Sequence, residues 1–441
     1  MPADVRKGLV DLRPLRASPA WRRLFVGSSI SVLGGRITEV AVLYQVWQLT
    51  GSTVWLGVLG LANAVPRVVF GLAGGGLADS TDRRRLVLWT TSGLMVVGVA
   101  LAVQAMLPAP ASGGVGSRLA LLLGLIVAKS CLASLSAPAR RSFAALLLPR
   151  DLLGAGVALD HLAYQVTVLA GPALAGVVLA TWGAGVAYAL DVLTFAAGFY
   201  GVLRLPPLPP APASTTVPPA RLVLAGWRYV ATHPVLRPAI LTDVAATVLA
   251  MPVSLFPAVN AQRYGGHPQT LGLFLSAIAV GGIVAGTASG LVTRARRPGV
   301  VMVASGVVWG AGLAAFGLAQ PLPLALACLA VAGAADTVSV ISRGALVQLA
   351  TDEEHRGRVS SVEIVVGVAG PDLGDLRGGL VAGVTSPAVA LVSGGVLCVL
   401  GTVAVAATSR RLLRFTPAQG TDDAATAAGL EEVVAEGEER A

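Results

Sequence analysis

Twelve apolar stretches long enough to cross a lipid bilayer begin near residues 24, 54, 86, 118, 157, 184, 236, 270, 299, 322, 359 and 386. The first, Leu24 to Trp47, gives about 36 Å of helix against a hydrocarbon core of about 30 Å. Inside lipid no water satisfies backbone N–H and C=O groups, so a span must be an α-helix or a closed barrel. The period-2 alternation of a barrel strand is absent from these runs. Charged residues make up 12% of the chain, where a soluble protein carries roughly a quarter. The expected fold is an all-α membrane protein with twelve transmembrane helices.

Basic residues fix the expected orientation. The two tails and every second connection hold 26 Lys and Arg, against Arg118 and Arg263 in the alternate connections. Positive charge stays on the cytoplasmic side during insertion, so both termini are expected inside the cell, in the inner (plasma) membrane. Net charge is +9, and its placement beside helix ends assigns it to topology, not to nucleic-acid binding. The run after Trp21-Arg22-Arg23 is too long for a signal-peptide core and lacks a small-residue cleavage site.

A proline-dense break, Pro206-Pro207-Leu208-Pro209-Pro210-Ala211-Pro212, opens a Ser/Thr/Pro-rich connection of extended-linker composition. The organisation expected is a tail over 1–23, six helices over 24–205, a linker over 206–235, six helices over 236–409 and a tail over 410–441. That last tail carries seven acids from Asp422 to Glu439. Ala-Gly-Pro recurs at 170–172 and 369–371 in the fifth helix of each half, and Arg141 and Arg343 recur at the end of each fourth helix. Both offsets match the spacing of the helix starts. Two parallel repeats in two pseudo-symmetric bundles, with substrate bound between them, is a transporter arrangement.

Ionisable groups within a span are costly unless paired or hydrated, which makes them candidates for a substrate or proton pathway. Arg36 and Glu39 share one face of the first span, Arg67 follows Pro66 in the second, and Lys129 lies in the fourth. Asp372, Asp375 and Arg377 lie deep in the eleventh. Asp191, Asp243 and Asp336 occupy the sixth, seventh and tenth. The first two sit where interfacial solvation would serve them, and Glu363 reads as a first-turn dipole partner. Two readings stand for Arg36 and Glu39: a neutral pair that holds the helix, or direct contact with substrate and proton. Asp372, Asp375 and Arg377 can close among themselves or act on a ligand. Lys129 has no partner that sequence can name. A cavity carboxylate beside cations can carry a proton between faces; Glu39 with Arg36 and Arg67 leads, followed by Asp375 with Arg377.

Other chemistries find little support. The lysines are Lys7 and Lys129, and Ala128-Lys129-Ser130 lacks the glycine of a phosphate loop. His161, His233, His267 and His355 have no paired metal-ligand spacing, and Cys131, Cys328 and Cys398 stand singly. No cofactor, metal or enzyme activity is expected, and a membrane gradient remains as the driver.

Between the second and third spans runs Gly75-Gly76-Leu77-Ala78-Asp79-Ser80-Thr81-Asp82-Arg83-Arg84-Arg85, in which Asp79 can accept from the arginines or cap a nearby helix. This resembles the signature loop of the major facilitator superfamily. Further likeness lies in Thr50-Gly51-Ser52, Pro138-Ala139-Arg140-Arg141, Gly171-Pro172-Ala173-Leu174-Ala175-Gly176 and Arg356-Gly357-Arg358-Val359, over roughly residues 20–410. Together these resemble the exporter branch that includes macrolide-efflux-like proteins and the enterobactin exporter. Ala369 to Gly379 is similar to the enterobactin-exporter type. The resemblance implies a gate at Gly75, Asp79, Arg83 and Arg84, and a helix-5 motif at Gly171, Pro172 and Gly176. The corresponding loop of the second half, Gly290 to Arg297, is basic but has no Asp, so a latch built on Asp79 is one-sided.

The reading is a monomeric, proton-coupled exporter of small amphipathic molecules working by alternating access. A siderophore exporter is the alternative within the class, and a non-transporting scaffold or sensor is the alternative outside it.

Overall fold

The computed structural model describes residues 11–108, 114–209 and 219–416, without the side chains of a few residues inside those ranges. The core of the proline-rich linker and the acidic stretch from Asp422 to Glu439 fall outside them. Among the described residues are twelve long helices: α1 (Pro19–Thr50), α2 (Thr53–Ser80), α3 (Arg83–Met106), α4 (Val115–Leu147), α5 (Leu153–Thr181), α6 (Gly183–Leu203), α7 (Leu236–Arg263), α8 (Pro268–Thr287), α9 (Pro298–Leu318), α10 (Leu322–Ala350), α11 (Arg356–Val384) and α12 (Pro387–Thr408). Among the described residues, all but α11 are apolar and long enough to cross a membrane. At 29 residues α11 has the length, and what it lacks is apolarity. Glu363, Asp372, Asp375 and Arg377 are the cause.

Short-range chemistry sets the helix ends. Ser18 accepts from the Trp21 amide with Pro19 in the first turn, which starts α1, and Gly51 in the left-handed region (φ 57°) ends it. Ser386 and Pro387 start α12 in the same way. Asp82 caps α3: its Oδ1 accepts from the Arg85 amide and its Oδ2 from the Leu208 amide.

α7 is interrupted. Its helical turns widen to a π-turn over Ala245–Leu249, break at residues 250–252, and resume through Val253–Leu255 into Phe256–Arg263. A broken helix in lipid must find partners for the backbone groups it frees. α11 supplies them: the Arg377 guanidinium donates to the Leu249 carbonyl, and the Asp375 carboxylate accepts from the Ser254 amide at 2.8 Å. Cation and anion thus sit at the C-terminal and N-terminal ends of the two half-helices, as their dipoles favour.

The chain forms two compact units, Met1–Pro219 with Asn260–Ser276, and Ala220–Val259 with Ala277–Ala441. Small residues bring helices close in both. In the first, β-carbons on Gly27 and Gly34 of α1 would overlap the Ala197 carbonyl and the Thr194 hydroxyl of α6. In the second, Gly281 of α8 and Gly333 of α10 meet the backbones of Ala330 and Ile278 in turn. Two buried amide side chains of the first unit are matched to each other. Gln45 and Gln104 exchange amide hydrogen bonds at 3.0 Å, and the Tyr188 hydroxyl donates to Gln45 at 2.7 Å.

Candidate functional site

In the first unit two charged clusters lie along α1. Arg36 projects where Gly171 of α5 has no side chain to block it. Its guanidinium donates to Glu39 Oε2 at 2.8 Å and to the Tyr164 hydroxyl of α5 at 2.8 Å, and lies 5.2 Å from the centre of that ring. The Glu39 side chain is 53% exposed and Arg36 26%. The carboxylate is thus the more exposed of the two partners, and the guanidinium lies between it and the tyrosine. Tyr164 carries no sequence signal, being 128 residues away. One turn before it, Asp160 is also exposed and escaped the sequence reading.

The second cluster is closed. Lys129 of α4 donates to Asp191 Oδ2 of α6 at 2.8 Å, and the Thr38 hydroxyl donates to the same oxygen at 2.6 Å. Asp191 is 1% exposed and its Oδ1 has no hydrogen-bond partner, while Lys129 also lies 5.6 Å from the Phe195 ring centre. Interfacial solvation of Asp191 is therefore wrong. The residue is the ninth of a 21-residue helix, so it falls at the middle of the span.

In the second unit Asp243 is likewise buried and not solvated. It is 7% exposed and bonded to Arg343 of α10. Asp336 and Glu363 stand within electrostatic reach of that pair. α11 begins at Arg356, so Glu363 is two turns inside it and not in the first turn. Arg343 thus has a buried job, whereas Arg141, at the matching position of the first half, is exposed.

The remaining candidates occupy distinct places. Asp372 is buried in α11, and Asp375 and Arg377 both reach the break in α7. Arg67 is half-buried in α2 beside Pro66. The backbone of Gly75 and Asp79 is helical, and their side chains lie outside the described residues. Arg83 donates its amide to the Leu208 carbonyl and Arg84 its guanidinium to the Leu203 carbonyl, which ties this loop to the end of α6. Pro172 and Gly176 of α5 pack against the start of α8: a β-carbon at 176 would lie 3.0 Å from Gln269, and one at Gly272 would overlap the Pro172 carbonyl. Ser276 adds a hydrogen bond to the Leu169 carbonyl at 3.1 Å.

Outside the spans, the segment before α7 has its own polar cluster. Tyr229 donates to Asp352 at 2.9 Å and stacks on His355 at 4.1 Å. His233 Nδ1 accepts from the Val235 and Leu236 amides at the start of α7. Burial, then the Asp352 hydrogen bond, pushes the Tyr229 phenol up to about 12, and burial lowers the His233 imidazole against the pull of Asp352.

Residues 10–434 match the family model described as transmembrane secretion effector. The enterobactin exporter EntS of Citrobacter koseri is 30% identical over 376 residues, covering 85% of this chain and 88% of that protein. The Shigella flexneri protein of that name is 29% identical with the same coverage. Among solved structures, the nucleoside transporter NupG superposes with a TM-score of 0.69 at 14% identity, covering 89% of this chain and 99% of that one. A bacterial homologue of the iron transporter ferroportin, in an inward-facing state, gives 0.66 at 14% identity, also covering 89% and 99%.

Proposed function

From the premise that this chain belongs to the transmembrane secretion effector family of the major facilitator superfamily, we propose that it is a proton-coupled exporter of small amphipathic molecules. It works as a monomer by alternating access between two six-helix repeats (24–205 and 236–409), without nucleic-acid partners, cofactor or enzymatic activity. It resides in the plasma membrane with both termini in the cytoplasm. Single cysteines at Ser112 and Thr215, both outside the described residues, test the orientation: they label from opposite faces, and labelling of both from outside overturns it.

The observation that carries the proposal is the Arg36–Glu39–Tyr164 arrangement. A half-buried cation is shared between an exposed carboxylate and a phenol in the middle of α1 and α5. When Glu39 binds a proton, Arg36 is free to meet an anionic or polar group of the substrate, so proton and substrate compete for one cation. Arg67, Lys129, Asp372, Asp375 and Arg377 extend the polar pathway, and Gly75, Asp79, Arg83 and Arg84 gate it. Export of a catecholate siderophore is the second reading, favoured by the names of the EntS relatives. A non-transporting scaffold would have no use for these intramembrane charges.

Reconstituted vesicles with an imposed pH gradient test the function. The expected result is gradient-dependent movement of an amphipathic dye or a catecholate siderophore, with protons moving the opposite way. Siderophore movement without dye movement selects the second reading. Movement of neither, by protein that is folded and inserted, overturns both.

A further inference from the structure

The helix Pro219–Thr232, which leads into α7, presents two different faces. Gly226 and Val230 are buried, with Gly226 against the Arg358 carbonyl and Val362 of α11. The opposite arc exposes Leu224, Trp227 and Ala231 side by side, continuing into Arg228 and Arg221. Leu224 is 54% exposed and Trp227 37%. At 100° per residue these five positions fall within one contiguous arc, apolar on one side and basic on the other.

The helix ends at Thr232 and α7 begins at Leu236, leaving His233, Pro234 and Val235 between them. Three residues reach about 10 Å at most, so the face cannot leave the membrane surface. Its placement is further held by Tyr229 on Asp352 and His355. An apolar strip beside arginines, tethered at the bilayer boundary, has the composition of a helix lying in the headgroup layer. Arg237, exposed in the first turn of α7, extends the positive edge.

We propose that Arg221, Leu224, Trp227 and Arg228 form a docking face for anionic phospholipid, with Leu224 and Trp227 dipping into the acyl boundary and the two arginines on headgroup phosphates. Exposed tryptophan with adjacent arginine matches the interface between headgroup and acyl chain, and negative lipid complements the charge. The acidic segment from Asp422 to Glu439 would satisfy the arginines, but it offers little to the apolar strip.

The test uses the full chain in nanodiscs of phosphatidylcholine, with or without a quarter phosphatidylglycerol, one of the two lipids carrying brominated acyl chains. The Trp227 signal is the difference in fluorescence between wild type and Trp227→Phe. Brominated phosphatidylglycerol should quench it about twofold or more beyond brominated phosphatidylcholine at equal fraction. Arg221→Gln with Arg228→Gln should erase that preference, and the paired Lys substitutions should keep it. No quenching by either lipid places the face in water and overturns the proposal. So does a headgroup preference that survives the paired Gln substitutions. A chain ending at Thr416 should behave as wild type; quenching that emerges only after this truncation identifies the acidic segment as the occupant and also overturns the proposal.

Discussion

Replacing Lys129 by Met keeps an apolar stem of similar length and removes the charge opposite Asp191. The carboxylate, 1% exposed, would then keep a single donor, the Thr38 hydroxyl at 2.6 Å, with Oδ1 still unbonded. Stripping one partner from a buried pair costs about 3–5 kcal/mol. Lys129→Met should therefore lose about 3–5 kcal/mol of stability. Adding Asp191→Leu should recover most of the loss, because an apolar pair of similar volume substitutes for a buried ion pair at little net cost. Unfolding by SDS in mixed micelles, followed by circular dichroism, measures wild type and both variants. A loss that the second substitution does not rescue would refute the charge argument, leaving only lost packing of the lysine stem near Phe195.

Three further outcomes are expected. Glu39→Gln should leave substrate binding detectable and exchange down a gradient intact while pH-driven efflux falls sharply; folded protein with full driven efflux moves the coupling role to Asp375. His233 has a folded-state pKa depressed below about 6.5, so it contributes stability above that value, lost as pH falls through the lower one. The melting temperature should then drop further between pH 7.5 and 5 in wild type than in His233→Asn, whose amide caps the same N–H groups without titrating, and an equal drop counts against it. Gly272→Val should cost about 1–3 kcal/mol by forcing α8 off the Pro172 carbonyl; unchanged unfolding would show that the seam yields.

Span number and helix class were legible because apolar length is a property of each segment alone. The partners of the charges were not. Lys129 and Asp191 are 62 residues apart, and Asp243 and Arg343 are 100. Their meeting depends on which helices adjoin and how each is rotated, which the Gly27, Gly34, Gly281 and Gly333 seams decide. Depth was misjudged for Asp191 because an apolar run read without its caps blurs the helix centre, and the solvation expected for Asp243 gave way to burial against Arg343. The α-helical period also gave no warning of the break after Leu249, so the hydrogen bonds of Asp375 and Arg377 to α7 backbone could not be read from the sequence. Asp82, three residues after Asp79 in the signature loop, caps α3, a role that shows only once the helix start is known.

The polarity of α11 bears on how the chain is made. Each ionised residue at the centre of a nascent helix opposes release into lipid by about 2.5–3.5 kcal/mol, and α11 has several. The backbone groups that receive Asp375 and Arg377 were synthesised more than a hundred residues earlier, in the broken stretch of α7. α11 must therefore pass from the translocation channel onto a groove that α7 already provides, without an interval alone in the bilayer. A straightened α7 would offer no berth for those charges, and the defect would surface as a nascent chain sent to degradation before any question of transport arose.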